Sequence, residues 1–401
     1  MDMFTGKSVL LGVTGGIAAY KSAELVRSFV KEGANVQVVM TSNARKFITP
    51  LTLQVLSGQP VATDLFDLEF ESQIGHIQIA RAAHLVVVAP ATANVLAKAA
   101  AGIADDYLTT ILLATTAPVL LCPAMNVKMY EHPATRRNLE MLRTNGYALV
   151  EPDVGALACK EEGAGRLPDP HVILEAAYRL ITPPTLEGRR ILVSAGPTWE
   201  PFDPVRFITN PSSGKMGYSL ARMAARRSAE VILVSGPSSL PDPPGIRTVR
   251  VTTAQEMQEA ILEHSAGMDV IIMSAAVGDY RPLQVAPHKL KKVAGELTLQ
   301  LMKNPDILAS LGQARPPGSA QVLVGFAAET EHLIENARHK LLQKNLDFIV
   351  ANNLMEAGSG FGTDTNHVKI IDRDGTVEDL PPLSKDEVAA RVLDRVETLL
   401  H

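Results

Sequence analysis

At 401 residues the chain exceeds one comfortable hydrophobic core, and at ~150 residues per domain it divides into two. Its composition, 46% hydrophobic and 20% charged with a formal net charge of −5, is that of a soluble globular protein and lacks the basic excess of a nucleic-acid binder. No apolar run reaches the ~18 residues of a membrane span, and "MDMFTGKSVLLGV" enters a strand with no basic leader, so a cytoplasmic protein without a membrane partner is expected.

The first predicted unit is strand, turn and helix: "KSVLLGV" at 7–13, the glycines Gly15 and Gly16, then "AAYKSAELVRSFVKEG" with apolar residues at helical spacing up to a stop at Gly33. The next strand, "NVQVVMTS", ends in Thr41, Ser42 and Asn43. A dinucleotide fingerprint would read G-x-G-x-x-G and close this strand with an acidic residue for the ribose diol. Hydroxyls and an amide suit a phosphate better, which favours a mononucleotide such as FMN over NAD. "HLVVVAPATAN" is a further strand whose end carries Thr92 and Asn94 at a helix start, a second anion-compatible terminus on the same sheet edge. His76 follows Gly75 at a helix start, where the macrodipole disfavours its protonated form; it reads as a base or as a structural histidine. Asn126 follows the strand "PVLLCPAMN" and either turns the chain or hydrogen-bonds a carboxylate. With two cysteines, no C-x-x-C and no paired histidines at ligand spacing, no disulfide framework or zinc site is implied. Cys122 sits in an apolar strand and is expected to be buried and inert. Cys159 lies in the glycine-rich loop "VGALACKEEGAGRL" and is the candidate acid.

The stretch "ITPPTLEGRR", residues 181–190, fits an exposed joint, giving domains 1–182 and 191–401 with 183–190 as linker. Beyond it the pattern returns. "RRILVSAGPTWE" holds a strand from Ile191 to Ser194, Gly214 to Arg226 open and form the helix, and "EVILVSGPSS" is the following strand. "DVIIMSAAVGDY", "VLVGFAAET" and "DFIVANN" continue the alternation, so two doubly wound, Rossmann-like α/β domains are expected, with ligands at the carboxyl ends of their strands. The echo needs no duplication, since recurrent α/β folding accounts for it as well. Between strand and helix stands "RFITNPSSGKMGYSLA", which resembles a P-loop but fails G-x-x-x-x-G-K-[ST] twice, at Thr209 and at Met216. Ser212, Ser213, Gly214 and Lys215 are still what a chain would aim at a phosphate from a helix start. "HKLKK", with Lys289, is either a solvated basic face or a set of cations for a triphosphate, and Phe326 either packs beside a base or fills core.

Taken together, "GGIAAYK", Gly75-His76, "APATAN" with "GIADD", "PAMNVKMY" and "ACKEEGAGR" resemble the flavin-dependent cysteine decarboxylases that include phosphopantothenoylcysteine decarboxylase. The later motifs "GPTWEPFDPVRFITN", "SSGKMG", "SAAVGDYRP", "HKLKK", "KNPDIL" and "VGFAAET" resemble phosphopantothenate-cysteine ligase. The resemblance covers nearly the whole chain, in the order of the bacterial bifunctional proteins of coenzyme A biosynthesis. It implies a flavodoxin-like first domain that decarboxylates 4′-phosphopantothenoylcysteine with FMN, and a second domain that joins L-cysteine to 4′-phosphopantothenate through an acyl-cytidylate made from CTP. In the decarboxylation so implied, the thiol-bearing carbon is oxidised to a thioaldehyde, CO₂ leaves as from a β-keto acid, and hydride and a proton then return. The resemblance makes His76 the base, Asn126 the carboxylate ligand and Cys159 the proton donor, with Gly15, Ser42, Thr92 and Asn94 about the FMN. In the ligase it makes Lys289 the group that neutralises developing charge and Asn210 the one that polarises the acyl carbonyl. Asp279 holds Mg²⁺ or the nucleotide, and Ser212, Ser213, Gly214, Lys215 and Phe326 complete the CTP site. A homo-oligomer is implied, a dodecamer built from flavoprotein trimers and ligase dimers.

Three positions depart from the pattern: Lys160 where glycine usually follows the flap cysteine, Tyr130 in place of a tryptophan, and Gly278 in place of alanine. Rival readings are another flavoprotein chemistry, such as peptide-cysteine decarboxylation or flavin prenyl transfer, and a regulatory binding protein. An NAD dehydrogenase is weakened by the missing acidic residue.

Overall fold

A computed structural model describes residues 3–66, 75–156, 161–291, 296–316, 318–329, 331–353 and 362–400. The chain falls into two compact units, Met1–Pro183 and Pro184–His401.

In the first unit, apolar runs rich in valine and leucine form β1 (Ser8–Val13), β2 (Asn35–Met40), β3 (Leu85–Ala91), β4 (Val119–Pro123) and the short β5 (Ala148–Leu149). They pair in parallel in the order β2-β1-β3-β4-β5, the flavodoxin-like arrangement, whose order reverses between β1 and β3. Such strands read as continuous apolar runs because both faces are covered. One face packs Val9, Leu11 and Val13 against Leu25, Val26 and Phe29 of α1 (Ser22–Lys31), and the other packs Leu10, Val86 and Val88 against Leu108 and Ile111. The remaining helices are α2 (Pro50–Ser57), α3 (His76–Ala82), α4 (Ala93–Ala101), α5 (Tyr107–Ala114), α6 (Val127–Glu131), α7 (Pro133–Thr144) and α8 (Pro170–Ile181). An antiparallel hairpin of β6 (Asp153–Ala156) and β7 (Glu162–Arg166) precedes α8.

The second unit repeats the logic on a wider sheet. Its strands β8 (Arg190–Ala195), β11 (Glu230–Ser235), β12 (Arg247–Arg250), β13 (Val270–Met273), β16 (Val322–Glu329) and β17 (Phe348–Asn353) are parallel, in the order β12-β11-β8-β13-β16-β17. Counted within the unit this is 3-2-1-4-5-6, the Rossmann order, with its reversal between β8 and β13. Two antiparallel strands, β19 (Val368–Asp372) and β20 (Val377–Asp379), extend the edge. Small hairpins β9 (Trp199–Pro201) with β10 (Phe207–Thr209) and β14 (Tyr280–Pro282) with β15 (Leu301–Lys303) fill the insertions, and β18 (Thr365–Asn366) pairs with β21 (Leu383–Ser384). The helices are α9 (Lys215–Arg226), α10 (Ala254–Ser265), α11 (Ile307–Ala314), α12 (Leu333–Gln343) and α13 (Lys385–Leu400).

The stretch expected as an exposed joint is divided between the units after Pro183, and most of it is exposed, but one of its residues is anchored in the second unit. Leu186 is only 1% exposed, its N–H donates to Arg227 O at 2.9 Å, and Thr185 donates to Glu397. An apolar leucine beside two prolines buries itself where core is within reach, which composition could not reveal. Among the described residues no helix is long and apolar enough to cross a membrane.

Candidate active sites

The first site lies where β1, β2 and β3 end. Thr14, fully buried just past β1, donates its hydroxyl to Pro90 O (2.7 Å) and accepts from Thr92 N–H (3.1 Å), stitching two loops across the switch point. A Cβ added to Gly15 would stand 2.4 Å from Asn43 Cβ, and one added to Gly16 would stand 3.7 Å from Thr92 Cγ2. The turn after β1 therefore touches the ends of both neighbouring strands, which brings Gly15, Ser42, Thr92 and Asn94 to one edge. Neither Gly16 nor Thr92 makes a side-chain cap for the helix that it opens. The first-turn N–H groups there, beside neutral hydroxyls and an amide, form a donor set that fits a phosphate-bearing cofactor.

His76 opens α3, which runs back to the start of β3, so the histidine sits at the carboxyl edge. Its ring meets the Tyr107 ring edge-on at 6.3 Å. The "GIADD" residues have structural work. Asp106 caps α5 through a capping box with Thr109, and Asp105 and Asp106 take Lys98 Nζ at 2.6 and 3.3 Å. Asn126 turns the chain, and the carboxylate that it holds is one of the protein's own. Its Oδ1 accepts Lys128 N–H (2.8 Å), turning the chain into α6, while its Nδ2 donates to the Glu161 carboxylate at 2.5 Å. Tyr130 is buried, donates to Glu151, and has Arg136 Cζ 5.9 Å from its ring centroid; burial first, then Glu151, pushes its hydroxyl up to about 12. Cys122 is buried, and burial raises its thiol far above the ordinary range, so it is no acid or nucleophile. Cys159 and Lys160 lie outside the described residues, between β6 and β7 in sequence.

The second site is a cavity of about 810 Å³ at the carboxyl ends of β8, β13, β16 and β17. It brings together Asn210, Ser212, Ser213, Gly214, Lys215, Asp279 and Phe326. Gly214 takes φ +83, a left-handed turn that lets α9 start with its N–H groups facing the cavity. Asn210 Nδ2 donates to Ala276 O (3.1 Å) and Val277 O (3.3 Å), tying this loop to the one after β13. A Cβ at Gly278 would meet only ordinary contacts at 3.5 Å, so the glycine there in place of alanine is sterically minor.

Sequence reading missed Lys303, Lys340, Lys344, Lys385 and Asn366, which also line the cavity. Among the described lining residues five lysines face two aspartates, Asp279 and Asp306, which favours a polyanion. The "KNPDIL" motif held the signal for Lys303; Lys340 and Lys344 at the end of α12, Lys385 at the start of α13 and Asn366 in β18 lie where no motif marked them. Ser274 Oγ and Asn366 Oδ1, on two of the lining residues, are buried with no hydrogen-bond partner among the described residues.

Lys289 is exposed and is not part of this lining. Its segment is tied elsewhere: Leu290 N–H donates to Asp203 Oδ2 (3.1 Å) and Leu290 O accepts from Arg206 Nη2 (2.9 Å). Burial opposes ionisation of Asp203, but the Arg206 guanidinium and the N–H groups of Val205, Arg206 and Leu290 outweigh it and hold the carboxyl well below the usual range. A depressed carboxylate stabilises the fold above its unfolded value, and that share fades as pH drops below about 4. Asp203→Asn is expected to weaken this acid dependence. Denaturation midpoints between neutral and acid pH check it; an acid dependence equal to that of wild type would refute it.

Residues 2–182 match the flavoprotein family, and residues 186–400 match the DNA/pantothenate metabolism flavoprotein C-terminal domain. The chain is 48% identical over 401 residues to the coenzyme A biosynthesis bifunctional protein CoaBC of Bacillus subtilis, covering 99% of this chain and 98% of that one. A crystal structure of the C-terminal domain of a protein with this name is 44% identical, covering 54% of this chain and 97% of its own, with a TM-score of 0.46. A mutant PPC decarboxylase complexed with pantothenoylaminoethenethiol is 32% identical, covering 43% and 96%, with a TM-score of 0.38. With a flavoprotein half followed by a pantothenate-metabolism half, and a relative of this identity along its full length, the chain belongs to the family of bifunctional coenzyme A biosynthesis proteins.

Proposed function

We propose that this two-activity enzyme carries out consecutive steps of coenzyme A biosynthesis: ligation of L-cysteine to 4′-phosphopantothenate with CTP and Mg²⁺, then FMN-dependent decarboxylation of 4′-phosphopantothenoylcysteine to 4′-phosphopantetheine. The observation that carries the reading is the lysine-lined cavity of about 810 Å³ at the switch point of the second unit, in one chain with a flavoprotein half.

In the ligase half, Ser212–Lys215 present N–H groups and a cation to phosphate, Phe326 flanks the nucleotide, and Asp279 holds Mg²⁺ or a nucleotide group. Asn210 is the candidate to polarise the acyl carbonyl that the cysteine amine attacks, which requires its Nδ2 to give up Ala276 O or Val277 O. Lys289 is the candidate to neutralise developing charge, and it requires the 283–291 segment to approach the cavity. In the decarboxylase half, Gly15, Ser42, Thr92 and Asn94 would hold FMN, which supplies the reversible two-electron chemistry that makes the carboxyl a leaving group. His76 takes the proton from the substrate and Cys159 returns one. Asn126 binds the substrate carboxylate, a role supported by the carboxylate that it already holds in Glu161. A flavoprotein trimer with a ligase dimer, closing as a dodecamer, is the assembly implied.

Mass spectrometry of products from 4′-phosphopantothenate, cysteine and Mg²⁺, with CTP, ATP or no nucleotide, tests the reading. Cytidine-dependent 4′-phosphopantetheine is expected. Arrest at the cysteine amide would restrict the chain to ligation, and no product from folded, FMN-loaded protein would favour a binding role.

A further inference from the structure

Part of the ligase cavity wall comes from the C-terminal segment, where Asn366 and Lys385 line it. Lys385, the first residue of α13, is 8% exposed. Its Nζ donates to Thr363 O (2.5 Å) and Thr365 O (3.4 Å), and no carboxylate lies within ion-pair distance of it among the described residues. Asp364, the acid whose field it feels, is already bonded to Lys215 Nζ at 2.6 Å and is itself largely exposed. Two ammonium groups therefore share one solvated carboxylate. Burial, then Lys215, push the pKa of Lys385 down, as for a cation short of counter-charge. Buried charges are retained where a partner neutralises them, and here the partner must enter the cavity. Asn366 lines the same wall, is 7% exposed, and its Oδ1 has no partner among the described residues.

Building on the ligase reading above, we propose that Lys385, with Lys215 and the Ser212–Gly214 loop, binds a phosphate group of a ligase substrate. Both phosphorylated substrates carry that chemistry, the nucleoside triphosphate and the phosphomonoester of the acyl substrate. The alternative is a positioning role in which Lys385 only ties down two carbonyls. Lys385→Gln separates the two, because its amide can still donate to Thr363 O and Thr365 O but carries no charge.

In the full-length chain, initial ligase rates of wild type, K385Q and K385R are measured against each substrate in turn, the acyl substrate both with and without its phosphate. K385Q is expected to raise KM for one phosphorylated substrate on the order of tenfold, the value of one charge-assisted hydrogen bond, with kcat little changed and recovery in K385R. A rise that follows the nucleotide places its phosphate at Lys385; a rise seen with the phosphomonoester and not with the unphosphorylated acid places that one. Unchanged KM values in K385Q, or a rise confined to cysteine, would overturn the proposal. Inorganic pyrophosphate gives a readout independent of amide formation: it should raise the melting temperature of wild type and not of K385Q, and equal shifts, or none in wild type, would also overturn it. Wild type that shows the shift but forms no amide would sink the ligase reading and leave the anion site standing. A ligand-free thermal transition of the second unit equal to that of wild type, with an unchanged circular dichroism spectrum, reports that each variant has folded.

Discussion

Replacing Gly165 with alanine is expected to cut decarboxylation on the order of 100-fold, the cost of a misplacement of about 1 Å, while ligation by the same chain is unchanged. The added Cβ would stand 2.1 Å from Met125 O, and a backbone atom held in place by the Met125 N–H to Gly165 O bond (3.0 Å) cannot yield as a side-chain tip would. The β7 strand must retreat from the turn that carries Asn126, and the Asn126–Glu161 bond at the turn end of the hairpin goes with it. Gly163, whose Cβ would meet Val127 Cγ2 at 2.6 Å, shows that the approach is tight along the strand. The measurement is CO₂ release from 4′-phosphopantothenoylcysteine beside amide formation from CTP. Equal loss of both activities would mean general misfolding, and no loss would mean that the hairpin does not position the site.

The converse is expected of Gly217→Ala. Its Cβ would lie 2.5 Å from Ala195 Cβ and 2.7 Å from Ser194 O, on a strand whose residues there are fully buried. Overpacking of this kind costs roughly 1–3 kcal/mol, and the strain is relieved only by lifting the first turn of α9 from β8. That turn carries Lys215 and follows the Ser212–Gly214 loop, so ligation should fall by one to two orders of magnitude, roughly what a small shift of positioning groups costs. Decarboxylation should persist. A lowered second thermal transition with an unchanged first one would accompany it; retained ligation at wild-type rate would refute the packing argument.

The legible part of this protein was local. Continuous apolar runs such as "LVVVA" and "VIIM" announce parallel strands covered on both faces, and turns of glycine, serine and threonine at their ends announce the edge at which a phosphate binds. Gly15, Ser42, Thr92 and Asn94 could be named because each follows a strand whose end was already visible, and Ser212–Lys215 because they open a helix; Asn210 and Asp279 came from motif resemblance. Motif resemblance singled out Phe326 and Lys289 in the same way, yet the folded chain gives them different settings: Phe326 lines the cavity, while Lys289 sits exposed on a segment anchored by Asp203 and Arg206.

What the sequence by itself determined was therefore the alternation of strand and helix, the two sheet edges and the residue types that crown them, since these depend on periods of a few residues and on turn chemistry. Tertiary structure alone decided the strand orders, the burial of Leu186 in what reads as a linker, and the gathering of Lys303, Lys340, Lys344 and Lys385 around one cavity. Lys303, Lys340 and Lys385 lie on separate elements, with Lys344 one turn past Lys340 at the end of α12, and each by itself looks like solvated surface. Only the closed fold gathers them with Lys215 around one cavity, where five lysines outnumber the two lining aspartates and make the cavity suited to an anion.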